Sequence, residues 1–118
     1  MISTDHTGPN IDNLTSELRR GLLTLAVLAQ CREPQYGYSL KQHLAEAGMD
    51  VNEGTLYPLL RRLEEQKLLD SEWQLAGESR PRRYYRINAA GEAALAALID
   101  EWRLLEASLD KLLHSAGV

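Results

Sequence analysis

Apolar residues along this chain keep helical spacing over three successive stretches and then change period. From about Asp12, Leu14, Leu18, Leu22, Leu25 and Leu28 recur three or four residues apart, one stripe of a 3.6-residue helix that ends near Arg32, ahead of Pro34. Tyr36-Gly37-Tyr38 opens a shorter helix through about Ala47, with Leu40 and Leu44 on one face and Gly48 placed as its C-terminal cap. A third helix starts at Asn52, a good N-cap residue, and carries Leu56, Leu60 and Leu63 towards Leu68. Beyond Leu69 the period drops to two. Ser71–Leu75 and Arg82–Ile87 read as the strands of a hairpin, rich in Trp, Tyr and Ile, with turn residues over Ala76–Pro81 between them. Asn88 then caps a last helix from about Ala89 to Leu113, roughly 37 Å long at 1.5 Å per residue.

These patterns divide the chain into a polar, disordered arm over residues 1–11, a compact unit over 12–88, a long helix over 89–113 and a tail over 114–118. Three short amphipathic helices followed by a hairpin is the element order of a winged helix-turn-helix. In that architecture the third helix enters the DNA major groove and the hairpin loop reaches the backbone beside it. The expected class is mostly α with a small β-hairpin: a winged helix-turn-helix domain plus a long C-terminal dimerisation helix.

Composition narrows the function classes. At 118 residues, 44% hydrophobic and 25% charged, the chain suits one globular domain, and without Phe its core must be filled mainly by Leu and Ala. A single cysteine, Cys31, cannot form an intrachain disulfide or a cysteine-based zinc site, which fits a reducing, cytoplasmic setting; it reads as a buried small residue, with redox sensing left open. The longest apolar run, Leu22–Ala29, is broken by Thr24 and is far short of the roughly 20 residues a membrane helix needs, and no secretory signal opens the chain. Enzyme chemistry finds no footing. His6, His43 and His114 lack metal-ligand spacing, no Gly-rich phosphate loop occurs, and Glu64-Glu65 reads as a solvated pair, so neither an enzyme nor a cofactor is expected.

A net charge of -4 argues against a diffuse polycation, but the charge is segregated. Residues 78–86 hold four arginines (Arg80, Arg82, Arg83, Arg86) against Glu78, while residues 1–17 and 87–118 are each net -3. A basic hairpin suits phosphate contact; the plainer alternative is an edge hairpin protected by charge from edge-to-edge pairing. With Leu56, Leu60 and Leu63 turned inward, the third helix presents Gly54, Pro58, Arg61 and Glu65 outward, flanked by Thr55, Tyr57 and Arg62. Gly54 permits close backbone approach, Thr55 and Tyr57 offer hydrogen-bond donors, and Arg61 lies one turn on, where it suits a phosphate or a guanine edge. The same charges, Arg61, Arg62, Glu64 and Glu65, read equally as a solvated face with helix-spaced pairs.

Glu53-Gly54-Thr55-Leu56-Tyr57-Pro58-Leu59-Leu60-Arg61-Arg62-Leu63-Glu64 resembles the signature of the PadR family of bacterial transcriptional regulators. Tyr36-Gly37-Tyr38-Ser39-Leu40 and Arg82-Arg83-Tyr84-Tyr85-Arg86-Ile87 match that family's flanking motifs in the same order, so the similarity covers about residues 18–113. The resemblance implies a dimeric winged-helix repressor that sets Asn52, Thr55, Tyr57 and Arg61 of the third helix against double-stranded DNA. It adds Tyr38, Ser39 and Lys41 of the second helix and Arg80, Arg82 and Arg83 of the wing. Asn52 stands where many members have Ser, and the chain resembles the short branch with one C-terminal helix.

In the last helix Leu95, Leu98, Trp102, Leu105, Leu109 and Leu112 recur at 3, 4, 3, 4, 3, a heptad seam suited to a partner helix. Packing on its own domain alone is the simpler use of such a stripe, but Ile99, Leu104 and Leu113 add apolar surface beyond it. A homodimer is therefore expected, with Leu14, Leu18 and Leu22 of the first helix contributing. Trp102 offers a flat surface for a small aromatic effector, or a core anchor. The expected function is a sequence-specific transcriptional repressor on a pseudo-palindromic operator; the alternative is a winged-helix protein-interaction module that dimerises without binding DNA.

Overall fold

The computed structural model describes residues 10–75 and 80–118, which form α1 (Ile11–Gln30), α2 (Gly37–Glu46), α3 (Glu53–Glu65), β1 (Leu69–Gln74), β2 (Arg82–Ile87) and α4 (Ala89–Ser115). The expected arm, up to residue 9, and turn positions 76–79 lie outside the described residues.

Asparagine side chains start three of the helices. Asn10 accepts from the Asn13 amide, Asn52 from Thr55 at 2.9 Å and Asn88 from Gly91 at 2.8 Å, each satisfying a backbone donor that the helix itself leaves unpaired. The helix ends are less uniform. Gly48, at φ 98°, closes α2 while the Met49 amide bonds back to Leu44, the glycine-led reversal its sequence announces. α3 closes with the same hydrogen bonds, Leu68 to Leu63 and Lys67 to Glu64, but with Lys67 at φ 64° in the glycine position. The third helix therefore stops at Glu65 and the first strand begins at Leu69, two residues before the expected Ser71.

β1 and β2 pair antiparallel from Leu69↔Ile87 out to Gln74↔Arg82. Gln35 bridges the other edge of β2 at Tyr85 through two backbone hydrogen bonds of 2.7 and 3.0 Å. Period-two alternation puts Leu69, Ser71 and Trp73 on one face with their partners Ile87, Tyr85 and Arg83. That face runs from buried at the root to open at Trp73.

A single leucine-rich cluster joins α1 (Leu23, Val27, Leu28), α2, α3, the hairpin root and the first two turns of α4. Leu59 belongs to it beside Leu56, Leu60 and Leu63. α4 thus begins within the core of the winged domain: a Cβ on Gly91 would collide with the Leu68 carbonyl and Ile87, and Leu95 is only 5% exposed. Leu95 consequently faces its own domain instead of standing in an outward seam, which starts at Leu98. From Glu101 onward all of α4 is exposed, as is α1 from Ile11 to Gly21. The radius of gyration is 17.9 Å, well above the 13–14 Å or so of a compact chain this long. No helix among the described residues is long and apolar enough to cross a membrane.

Candidate nucleic-acid interface

The outward face of α3 carries Asn52, Gly54, Thr55, Tyr57, Pro58, Arg61 and Arg62, all exposed, because four leucines commit the opposite face to the core. Only Glu53 is acidic in the first turn, and Lys41 of α2 lies 3.9 Å from its carboxylate. A methyl group built on Gly54 would meet nothing but the Asn52 cap oxygen at 3.3 Å, so the interior does not demand glycine there. Tyr57 has a second task. Its ring occupies the space beside Gly37 of α2, where any Cβ would overlap it, leaving the residue 37% exposed.

At the start of α2, Tyr38 is exposed and Ser39 half-buried. The Ser39 hydroxyl accepts from the Tyr36 amide at 3.1 Å and donates to buried Gln35 at 2.8 Å. It is therefore a helix cap tied to the chain that borders β2. Tyr36 packs edge-on to Tyr84 at 5.3 Å and lies under the Arg82 guanidinium at 4.4 Å, an arrangement that desolvation favours. Arg82 is thereby held against α2, whereas Arg80 at the margin of the hairpin tip is exposed.

Arg83 takes a different direction. Its Nη2 donates to both carboxylate oxygens of Glu64, at 3.1 and 3.2 Å, and its Nε donates to Ser71 Oγ at 3.0 Å. Glu64 is thus half-buried and bridged to the wing, in place of the solvated pairing with Glu65 expected of it. Tyr85, beside this bridge, has its phenol held above its ordinary value, by burial first, with the Arg83 charge acting in the opposite sense.

The outward apolar residues of α1 and α4 lie away from these groups in the sequence: Ile11, Leu14 and Leu18 on α1; Leu98, Trp102, Leu105, Leu109 and Leu112 on α4. Leu22 is half-buried. Trp102 is not among the residues that line a cleft of about 290 Å³ between Arg19, Arg20 and Leu23 of α1 and Met49, Asn52 and Thr55 ahead of and within α3. Cys31 is fully buried, which pushes its thiol up to about 12 and keeps it protonated.

The roles of Glu64, Ser71, Tyr36 and Trp73 were missed by sequence reasoning. A period-two face pairs Trp73 with Arg83 once the register is known; nothing in the spacing links Glu64 to Arg83, 19 positions on.

Comparison with known proteins places this arrangement. The family model described as "Transcriptional regulator PadR-like family" matches residues 24–97. A transcriptional regulator of Mycobacterium tuberculosis is 38% identical over 106 residues, covering 86% of this chain and 95% of that protein. The crystal structure of a PadR family transcriptional regulator from Eggerthella lenta superposes with TM-score 0.82 at 47% identity, covering 87% of this chain and 91% of that one. A PadR-like transcription factor from Bacteroides fragilis gives TM-score 0.71 at 37% identity, covering 85% and 98%.

Proposed function

The chain belongs to the PadR-like family of transcriptional regulators, DNA-binding proteins and not enzymes, and from that premise we propose that it is a cytoplasmic, homodimeric repressor of a pseudo-palindromic operator. The observation that carries the reading is a first turn of α3 with little side chain at Gly54 and its one acid paired with Lys41, together with Arg80 exposed at the margin of the hairpin tip and Arg82 held over Tyr36 at the start of α2. In this reading Asn52, Gly54, Thr55 and Arg61 approach base edges or the adjacent phosphates. Tyr38 and Lys41 line the approach from α2 and Tyr57 that from α3, and Arg80 and Arg82 follow the backbone.

Support for the dimer comes from the two unpaired apolar stretches. Ten large apolar side chains on α1 and α4 are more than a third exposed, and exposed apolar residues gathered on two helices mark an interaction surface when they adjoin. A two-fold pairing of α4, with the free half of α1 added, covers them and sets two α3 helices for half-sites one DNA turn apart, about 34 Å. Trp102, half covered on that seam, offers a small aromatic effector a surface whose occupation shifts the spacing of the two helices.

The direct test is the double variant Arg80→Glu/Arg82→Glu. Its DNA affinity is expected to fall at least tenfold or so, and the slope of log affinity against log salt to drop by about two, while the dimer mass stays unchanged. Unaltered affinity removes the wing from the interface.

A further inference from the structure

One carboxylate joins the three elements of the DNA-facing half. Glu64, in the last turn of α3, accepts from Arg83 of β2 through both oxygens and from the Ser71 hydroxyl of β1, while Arg83 Nε donates to that same hydroxyl. The guanidinium also lies between two rings, 5.6 Å from the centroid of Trp73 and 5.9 Å from that of Tyr85, within the range of cation–π attraction. A lone surface ion pair contributes little. This one is a half-buried network whose hydrogen bonds fix the direction of every member.

A phosphate-binding arginine needs an open cationic fork, and on Arg83 the Nη2 and Nε donors are already taken, by Glu64 and Ser71. We infer that Arg83 is a positioning residue: the Glu64–Ser71–Arg83 bridge sets the angle of the wing against α3. The outer half of the hairpin needs such an anchor, because Trp73 is 64% exposed and α3 is joined to β1 only through Gln66–Leu68. Arg82 over Tyr36 ties the hairpin to α2; the bridge ties it to α3. With both in place, Arg80 and Arg82 meet the backbone in the register that the first turn of α3 requires.

The inference rests on the DNA-binding reading above, and the two roles open to Arg83 predict opposite signs. If Arg83 were a phosphate contact, Glu64→Gln would free a cation and remove an acid, tightening DNA binding and steepening its salt dependence. As a positioning bridge, Glu64→Gln weakens binding. The probe is a short duplex recovered by the unmodified chain from a random-sequence pool. Glu64→Gln and Arg83→Met are each expected to lose about tenfold in affinity, their combination no more than either alone, with the salt slope unchanged. Hydrogen exchange of the β1 and β2 amides in the DNA-free chain should quicken in both variants, while the melting transition remains cooperative. Tighter binding by Glu64→Gln, a slope lower by about one for Arg83→Met, or unaltered hairpin exchange would overturn the positioning role. Should the unmodified chain recover no duplex, the DNA-binding reading fails instead, and the exchange measurement alone decides whether the bridge holds the wing.

Discussion

A methyl group added at Gly91 meets the Leu68 carbonyl and Ile87, backbone and core that cannot move aside, whereas one added at Gly54 meets only the rim of an asparagine cap. The two glycines are accordingly predicted to behave in opposite ways. Gly91→Ala should lower stability by about 1–3 kcal/mol, read from urea or thermal melts. Gly54→Ala should melt at the same temperature or slightly higher, since alanine favours a helix by up to about 1 kcal/mol, and yet bind DNA more weakly, because the lost property is close approach. Cys31 supplies a pH test. Burial raises its pKa from 9.0 to about 12, so the stability this provides is complete below pH 9 and lost as pH climbs towards 12, the unfolded chain releasing its proton first. At pH 10 the loss is on the order of 1 kcal/mol. Cys31→Ala should flatten that part of the decline in urea midpoints between about pH 8 and about pH 10; an identical decline in the variant would assign it to other groups.

Among the elements, the ones marked by local chemistry are the ones that the chain's pattern discloses. Asn52 and Asn88 announce their helices, Gly48 announces the end of α2, and β2 occupies the expected Arg82–Ile87. The end of α3 is hidden because Lys67, not glycine, adopts the left-handed turn, and with it the start of β1. Of the interface, the outward face of α3 follows from a helical wheel, since four leucines decide it. The half-buried bridge from Glu64 to Arg83 does not, because it depends on how the hairpin folds back over α3. Leu95 and Leu98 show the same limit within a single stripe: heptad spacing makes them equivalent, and only the placement of α4 over the core separates a residue 5% exposed from one 36% exposed. This separation predicts contrasting effects of the same substitution. Leu105→Asp, at a position 54% exposed on α4, should leave the helical signal intact and convert the proposed dimer to monomer in sedimentation. Leu95→Asp should unfold the domain itself, since it buries an unpaired charge. A Leu105→Asp chain that still sediments as a tight dimer would exclude the α4 seam.

Taken whole, the molecule separates its charge and its apolar surface along its length. The net -4 conceals a wing of net +3, and the acidic balance resides in residues 1–17 and 87–118, each net -3. Such a distribution predicts weak nonspecific affinity and steep salt dependence, with the wing supplying the phosphate contacts and α3 the reading. The outline is extended, 58 × 37 × 25 Å, as the proposed two-fold pairing along α4 expects. Selection of bound sequences from a random DNA pool by the full chain tests this account most directly. The recovered sequences should share two inverted half-sites with centres about 10 base pairs apart. Recovery of a single asymmetric site, or no enrichment over the starting pool, would contradict it.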